Sequence, residues 1–442
     1  MRSSKWLMIG LVFLMASTIV FAGGQGEKKE AGGALELEWL VGSWLTQDHP
    51  DEQQAYDIEK VFEQEYPDID VVVIPVAWEG LHDKFLLSAQ TNNLPHIMTS
   101  EDFLGWTIEA ATTGNTMDLT DFVNNDVGRD KWRTEKVLEN ASWKGRVWAF
   151  PYRNSTRALV WNKDMFTAAG LNPEAPPTTW AGLREIGNKV TTDGQYGFSY
   201  PLKRFNTVAP EYVRSILDAY GADITNEDIT EATINTPEAK AAIKVWTDMV
   251  KVDEMIPMDI LNNDDNNDYT MFSSEITAMC MVGPWTVDTF RVQNPDLNYG
   301  VTTIPSNKEG EIGRFGLISM GWVVRKDVTD AEKDAIFKFL KHQIRPEINV
   351  WFTDSLPVTA TVPNDVAHPI TGRVKDFEGD ERYRVFLKQL EHTYPSALLH
   401  PAGPKIAREV NIALQRIILG QDADVVLDEA NQIINELLAE AE

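Results

Sequence analysis

Leu35, Leu37, Trp39 and Val41 alternate with Glu36 and Glu38, a period of two that predicts a strand ending at Gly42. Ala55, Ile58, Val61 and Phe62 then recur at helical spacing ahead of Pro67. The β-branched run DVVVIPV at 70–76 predicts a second strand, and a helical stretch follows from about Gly80 to Asn92. An order of strand, helix, strand, helix implies an α/β lobe with a largely parallel sheet.

Beyond Pro151 the segment RALVWN predicts a further strand, and helices are expected at about 180–190, 210–220 and 237–252. Thr236 suits the cap of the last of these, and Pro237 its first helical position. Thr329 and Glu332 have capping-box spacing, and Ile336, Phe337, Leu340 and Ile344 then share one face up to Pro346. Two helices close the chain, one with Ile406, Val410, Ala413, Leu414 and Ile417 on one face, the next with Val426, Ala430, Ile433 and Leu437. No internal repeat is found.

The chain has 442 residues, more than one hydrophobic core organises, so two domains are expected. Its first 22 residues carry Arg2 and Lys5, an apolar run from Trp6 to Phe21 and small residues before Gly23, which predicts a secretory signal peptide cleaved after Ala22. The apolar run is shorter than the roughly 20 residues of a spanning helix. Residues 23–34, GGQGEKKEAGGA, read as a flexible leader, and the fold is expected to start near Leu35. The lone cysteine, Cys280, lies far from the cleavage point, so no acceptor for an N-terminal lipid is present and a periplasmic or extracellular location is expected. One cysteine cannot form an internal disulfide, and in ITAMCMV it reads as a small buried hydrophobe. A formal charge of -27 repels nucleic acid and anionic membranes and excludes both as partners.

From Gly145 the chain reads GRVWAFPYRNSTRALVWNKD, and over 275–305 it reads EITAMCMVGPWTVDTFRVQNPDLNYGVTTIP. Both resemble signature stretches of the family 1 extracellular solute-binding proteins, the group that contains the maltodextrin-binding proteins. NLPHIMTSED at 93–102 is similar to the family's Leu-Pro-Asp segment with histidine in place of aspartate, and LNPEAPPTTWAGL at 171–183 adds a fourth match in order. The resemblance implies a two-lobed α/β periplasmic-binding-protein fold of the type II kind, each lobe a mixed, mainly parallel sheet flanked by helices. The implied lobes are 35–152 with 305–345 and 155–300 with 350–442, hinged near 153–155, 301–304 and 346–356. Ligand would be held between them, binding the closed form better than the open one and so shifting the population toward closure.

Fourteen tryptophans give the chain material for a sugar site, because sugar C–H faces pack on flat aromatic rings. Most large aromatics are core, so position must select among them. Trp285 follows Gly283 and Pro284 at the end of an apolar run, and the resemblance implies that it stacks on a sugar ring. Trp44, Trp78, Glu79, Glu101 and Asp102 lie just beyond predicted strand ends, where ligands of open α/β sheets sit. Carboxylates suit sugars by accepting strong hydroxyl hydrogen bonds; for Glu79 a helix N-terminal charge is the plain alternative. Tyr152, Arg153 and Asn154 lie where the chain is expected to leave the first lobe, in either a ligand or a hinge role. Gly316, Trp322, Trp351 and Phe352 complete the set, Gly316 for close backbone approach and the aromatics for stacking or packing. Asp264, Asn266, Asp268 and Glu275 occupy calcium-loop positions, but Tyr269 stands where glycine is needed, so a solvated turn is expected there.

These features predict the binding protein of an ABC-type carbohydrate importer: no enzyme, no metal or other cofactor, a monomer whose partners are a neutral or weakly charged carbohydrate and the permease transmembrane subunits. A secreted glycoside hydrolase, with two carboxylates flanking the bond, is the enzymatic alternative. A receptor for a non-sugar solute, or one feeding a chemosensor, is the other.

Overall fold

A computed structural model describes residues 34–43, 53–101, 105–203, 209–349, 370, 379–396 and 398–440. The chain opens with β1 (Leu35–Gly42), α1 (Gln54–Glu65), β2 (Ile69–Val76), α2 (Trp78–Gln90), β3 (Ile97–Ser100) and α3 (Trp106–Thr113). Next come α4 (Glu135–Asn140), the hairpin β4 (Ser142–Trp143) and β5 (Arg146–Val147), then β6 (Phe150–Ser155) and β7 (Ala158–Asn162). A helical stretch holds α5 (Lys163–Ala168), α6 (Trp180–Val190), α7 (Ala209–Ala219), α8 (Pro237–Lys251) and α9 (Asp265–Ser273). Then follow β8 (Met279–Val282), α10 (Thr286–Gln293), β9 (Tyr299–Thr302), β10 (Phe315–Val324), α11 (Asp330–Gln343) and α12 (Pro346–Asn349). α13 (Glu381–Leu390), β11 (Thr393–Pro395), α14 (Gly403–Ile418) and α15 (Ala423–Glu440) end it.

The helices begin where local chemistry satisfies their first N–H groups. Thr236 accepts from Ala239 N at 3.3 Å with Pro237 next in line. At α11 both halves of the capping box form, Glu332 N donating to Thr329 Oγ1 at 3.2 Å and Thr329 N to Glu332 Oε2 at 2.6 Å.

The larger sheet has the order β11-β10-β3-β1-β2, with β6 also paired to β10. β1 runs parallel to β2 and β3, as the sequence pattern predicts, while β10 is antiparallel to β3 and β6. The smaller sheet, β8-β7-β9, corrects the expectation of mainly parallel pairing, since both of its ladders are antiparallel. The chain enters β7 two residues after leaving β6, and β7 is inserted between β8 and β9, which run parallel to each other and are joined through α10.

The described residues from Leu35 to Glu440 form one packed unit. Behind the larger sheet Trp39 makes edge contacts with Trp322 at 5.3 Å and Phe339 at 4.9 Å. Behind the smaller one Tyr200 stacks on Trp246 at 3.9 Å. Such aromatic pairs fill core volume and fix orientation together. The turn expected around Asp264 is instead the start of α9: Asp264 and Asn267 form its capping box, and Asp268 is buried. Asp268 is thereby drawn into the core, while Asp264 stays partly exposed and Asn266 and Glu275 face solvent. Among the described residues no helix is long and apolar enough to cross a membrane, and no group of three His, Cys, Asp or Glu side chains could hold a metal ion.

Candidate functional site

Strand direction places the ends of many strands together. Gly42 pairs with Val76, and Leu40 with Met98 two residues before Ser100, so β1, β2 and β3 end level with one another. β6 is antiparallel to β10, as β3 is, so Arg153, Asn154 and Ser155 reach the same edge. Only Thr156 and Arg157 separate that edge from β7, whose first residue Ala158 pairs with Val282 at the end of β8, while Leu159 pairs with Thr302 at the end of β9. The carboxyl ends of strands from both sheets therefore converge on one chain crossing, the place where ligands of α/β sheets bind.

Trp285 stands at this crossing, half-buried, at the start of α10. Its ring folds back over Gly283, where an added Cβ would collide with the ring carbons, so only glycine leaves room for it. Two guanidinium groups flank the indole, those of Arg153 and Arg157, each 5.4 Å from the ring centroid.

Arg157 is buried and its charge is met inside the protein. It donates to Asp265 Oδ2 at 2.7 Å and to the Tyr269 hydroxyl at 2.6 Å, and lies 4.8 Å over the Tyr212 ring. The Tyr212 hydroxyl donates to the other oxygen, Asp265 Oδ1, at 3.0 Å. The neighbouring carboxyl of Glu211 is pushed up to about 8, because burial and the nearby Asp265 charge outweigh the attraction of Arg157 and Arg214. Burial also raises Asp268, against the opposing pull of the Asn263 amide and Arg157.

The remaining sequence candidates divide. Arg153 and Trp285 are brought together. Asn154 and Glu101 lie at the same edge, both fully buried. Trp78 and Glu79 open α2 beyond β2, their side chains outside those described, and Trp44, Asp102, Trp351 and Phe352 lie outside the described residues. Tyr152 and Trp322 are corrected to core residues: both have no exposure and stack on each other at 3.8 Å. The space beside Gly316 is taken by Ser396, whose Oγ sits where a Cβ would have to go. Reading the sequence misses Arg157, Tyr212 and Asp265. Only Arg157 gives a local signal, as a cation directly before an apolar strand at the expected crossing.

Two sheets, one mixed and one antiparallel, whose strand ends face one crossing define a two-lobed α/β ligand-binding protein. Residues 48–350 match the family described as bacterial extracellular solute-binding protein, and the chain belongs to that family. It is 27% identical over 266 residues to a binding protein of Brucella abortus (strain 2308); the match covers 59% of this chain and 62% of that protein, so the chain spans under two thirds of this relative's length. Among solved structures it is similar to an ABC transporter solute-binding protein from Thermotoga lettingae bound with alpha-D-tagatose, with a TM-score of 0.76 and 21% identity over 92% of this chain and 100% of that one. UgpB from Mycobacterium tuberculosis, in complex with glycerophosphocholine, gives a TM-score of 0.75 and 19% identity over 93% of this chain and 99% of that one.

Proposed function

We propose that the protein is the substrate-binding component of an ABC-type carbohydrate importer, capturing a sugar or oligosaccharide between its lobes by hinge closure and handing it to the membrane permease. The observation that carries this reading is the half-buried Trp285 ring at the crossing where both sheets' strands end. A flat apolar ring beside fixed polar groups is the arrangement that a sugar's alternating C–H and hydroxyl surfaces match. Asp265 balances Arg157, which favours a neutral ligand. In this reading the lobes are those expected from the sequence, 35–152 with 305–345 and 155–300 with 350–442, and Trp44, Trp78, Glu79, Glu101, Asp102, Asn154 and Trp351 are retained with Arg153 as ligand candidates. Export behind a cleaved signal peptide and action as a monomer without catalysis belong to the same reading. The two guanidinium groups beside Trp285 favour one alternative, a ligand carrying phosphate. A thermal-shift panel of sugars, glycerol phosphates, amino acids and short peptides tests the choice, with chromatography of each sugar mixture for released product. Saturable stabilisation by sugars with no product is expected; a response to glycerol phosphates alone favours the alternative, and product would make the protein a hydrolase.

A further inference from the structure

We propose that the wall of this site contains a buried polar notch, formed by Glu211, Tyr394 and Ser396 over Gly316, that takes one uncharged hydroxyl group of a polyhydroxylated ligand. The proposal deepens the carbohydrate reading and rests on it.

Glu211 is in the first turn of α7, Tyr394 is in β11 and Ser396 lies just after it. Gly316 of β10 pairs with Tyr394, and its missing Cβ is what lets the Ser396 hydroxyl come so near its backbone. All three polar side chains are more than nine-tenths buried, with 6% exposure at Glu211, 6% at Tyr394 and 8% at Ser396. Among the described residues, neither carboxyl oxygen of Glu211, the Tyr394 hydroxyl nor the Ser396 Oγ has a partner at full hydrogen-bonding geometry; the Ser396 hydroxyl approaches the Glu211 carboxyl closely enough to pull its titration down as a weak hydrogen bond does, and that contact leaves most of their bonding capacity unmet. Buried polar groups are nearly always satisfied, so this many unmet in one spot marks the place of an oxygen that bridges them.

The chemistry selects an uncharged oxygen. Burial keeps Glu211 protonated at neutral pH, so the notch offers a carboxylic acid and two hydroxyls, each able to donate and accept. Arg214 is committed elsewhere, to Asp223 at 2.7 Å and to the carbonyl oxygens of Pro395 at 2.8 Å and Ser396 at 3.1 Å. Among the described residues, an anion would find no unengaged cation here. The notch adjoins the site already described, because Thr156 of the crossing donates to the Gly316 carbonyl at 3.2 Å and the charge of Arg157 acts on Glu211. In the unliganded protein a water would hold the position that a sugar hydroxyl takes over.

Fluorescence titration with D-tagatose and with maltotriose as probes tests this on the full chain, in the parent, Ser396→Ala, Gly316→Ala and Trp285→Ala. Ser396→Ala removes one partner, and Gly316→Ala drives the Ser396 hydroxyl out of the notch. Each is expected to weaken a probe that the parent binds by about tenfold, with the melting temperature of the unliganded protein unchanged in Ser396→Ala and lowered by the added packing in Gly316→Ala. Parent-like affinity in both variants, with binding lost in Trp285→Ala, overturns the notch as a ligand subsite while the carbohydrate reading stands. If the parent binds neither probe, the carbohydrate reading fails for them, and a crystal structure of the unliganded chain decides the notch. An ordered water bridging Glu211 to Ser396 or Tyr394 supports it; a direct Glu211–Ser396 hydrogen bond with no bridging oxygen overturns it.

Discussion

Trp322 lies in a strand, FGLISMGWVV, that is apolar but for Ser319, and such a run reads as a strand buried on both faces. That pattern alone argues for a core role, and Tyr152 stacked against it shares the same fate. Trp285 differs because Gly283 and Pro284 end its strand and turn the ring toward the crossing. The polar cluster around Arg157 was not legible: Asp265 and Tyr212 meet Arg157 from helices distant in sequence, and no local spacing encodes that meeting. Asp265→Ala leaves the buried guanidinium without its carboxylate. The expected loss is about 3 kcal/mol, at the low end for a broken buried pair because Asp265 keeps some solvent contact, and urea denaturation measures it. Glu211 gives a pH signature. Its carboxyl titrates near 8 in the fold against an ordinary 4.5, so between those values the folded chain holds a proton that the unfolded chain has released. Stability attributable to Glu211 therefore falls as pH rises from about 4.5 to about 8. Glu59, raised to about 7 by burial and by Glu63 and Asp70, adds a slope of the same sign. Urea midpoints at pH 5 and pH 8.5 are expected to differ less in Glu211→Gln than in the parent; equal differences would show that Glu211 does not titrate there.

At the scale of elements, helices were legible because their signals are local. Thr236 with Pro237 and Thr329 with Glu332 start α8 and α11 as their spacing predicts. Pairing order was not, because nothing near β7 announces that it separates β8 from β9, which makes the smaller sheet antiparallel. Thr329→Ala is expected to destabilise by about 1 kcal/mol, read from thermal or urea unfolding. Glu332 does more than cap. The Thr329 backbone N–H holds its carboxylate down to about 2, helped by His96 at 3.2 Å. Its stabilisation is thus complete above about pH 4.5 and is lost as pH falls through about 2. Glu332→Gln should be less stable than the parent at pH 7, and the gap should narrow on acidification toward pH 2. An unchanged gap would mean that the carboxylate charge contributes nothing.

At the scale of the whole molecule, the order of strands and helices with four family-like segments made the α/β architecture readable, and family membership bears this out. Which side chains face the ligand is harder to read, since that depends on how strands from two sheets end at one crossing. A ligand touching both lobes stabilises the closed form by its differential affinity alone. Small-angle scattering with a saturating sugar should therefore give a smaller radius of gyration than without it, and an unchanged radius would argue against closure. The most direct test of the central claim is tryptophan fluorescence titration of the parent and Trp285→Ala with a panel of sugars. Saturable binding of at least one sugar by the parent, weakened at least about 30-fold in the variant, is expected from an aromatic anchor that the ligand covers; silence across all sugars, or equal affinity in both proteins, would contradict a carbohydrate site at Trp285.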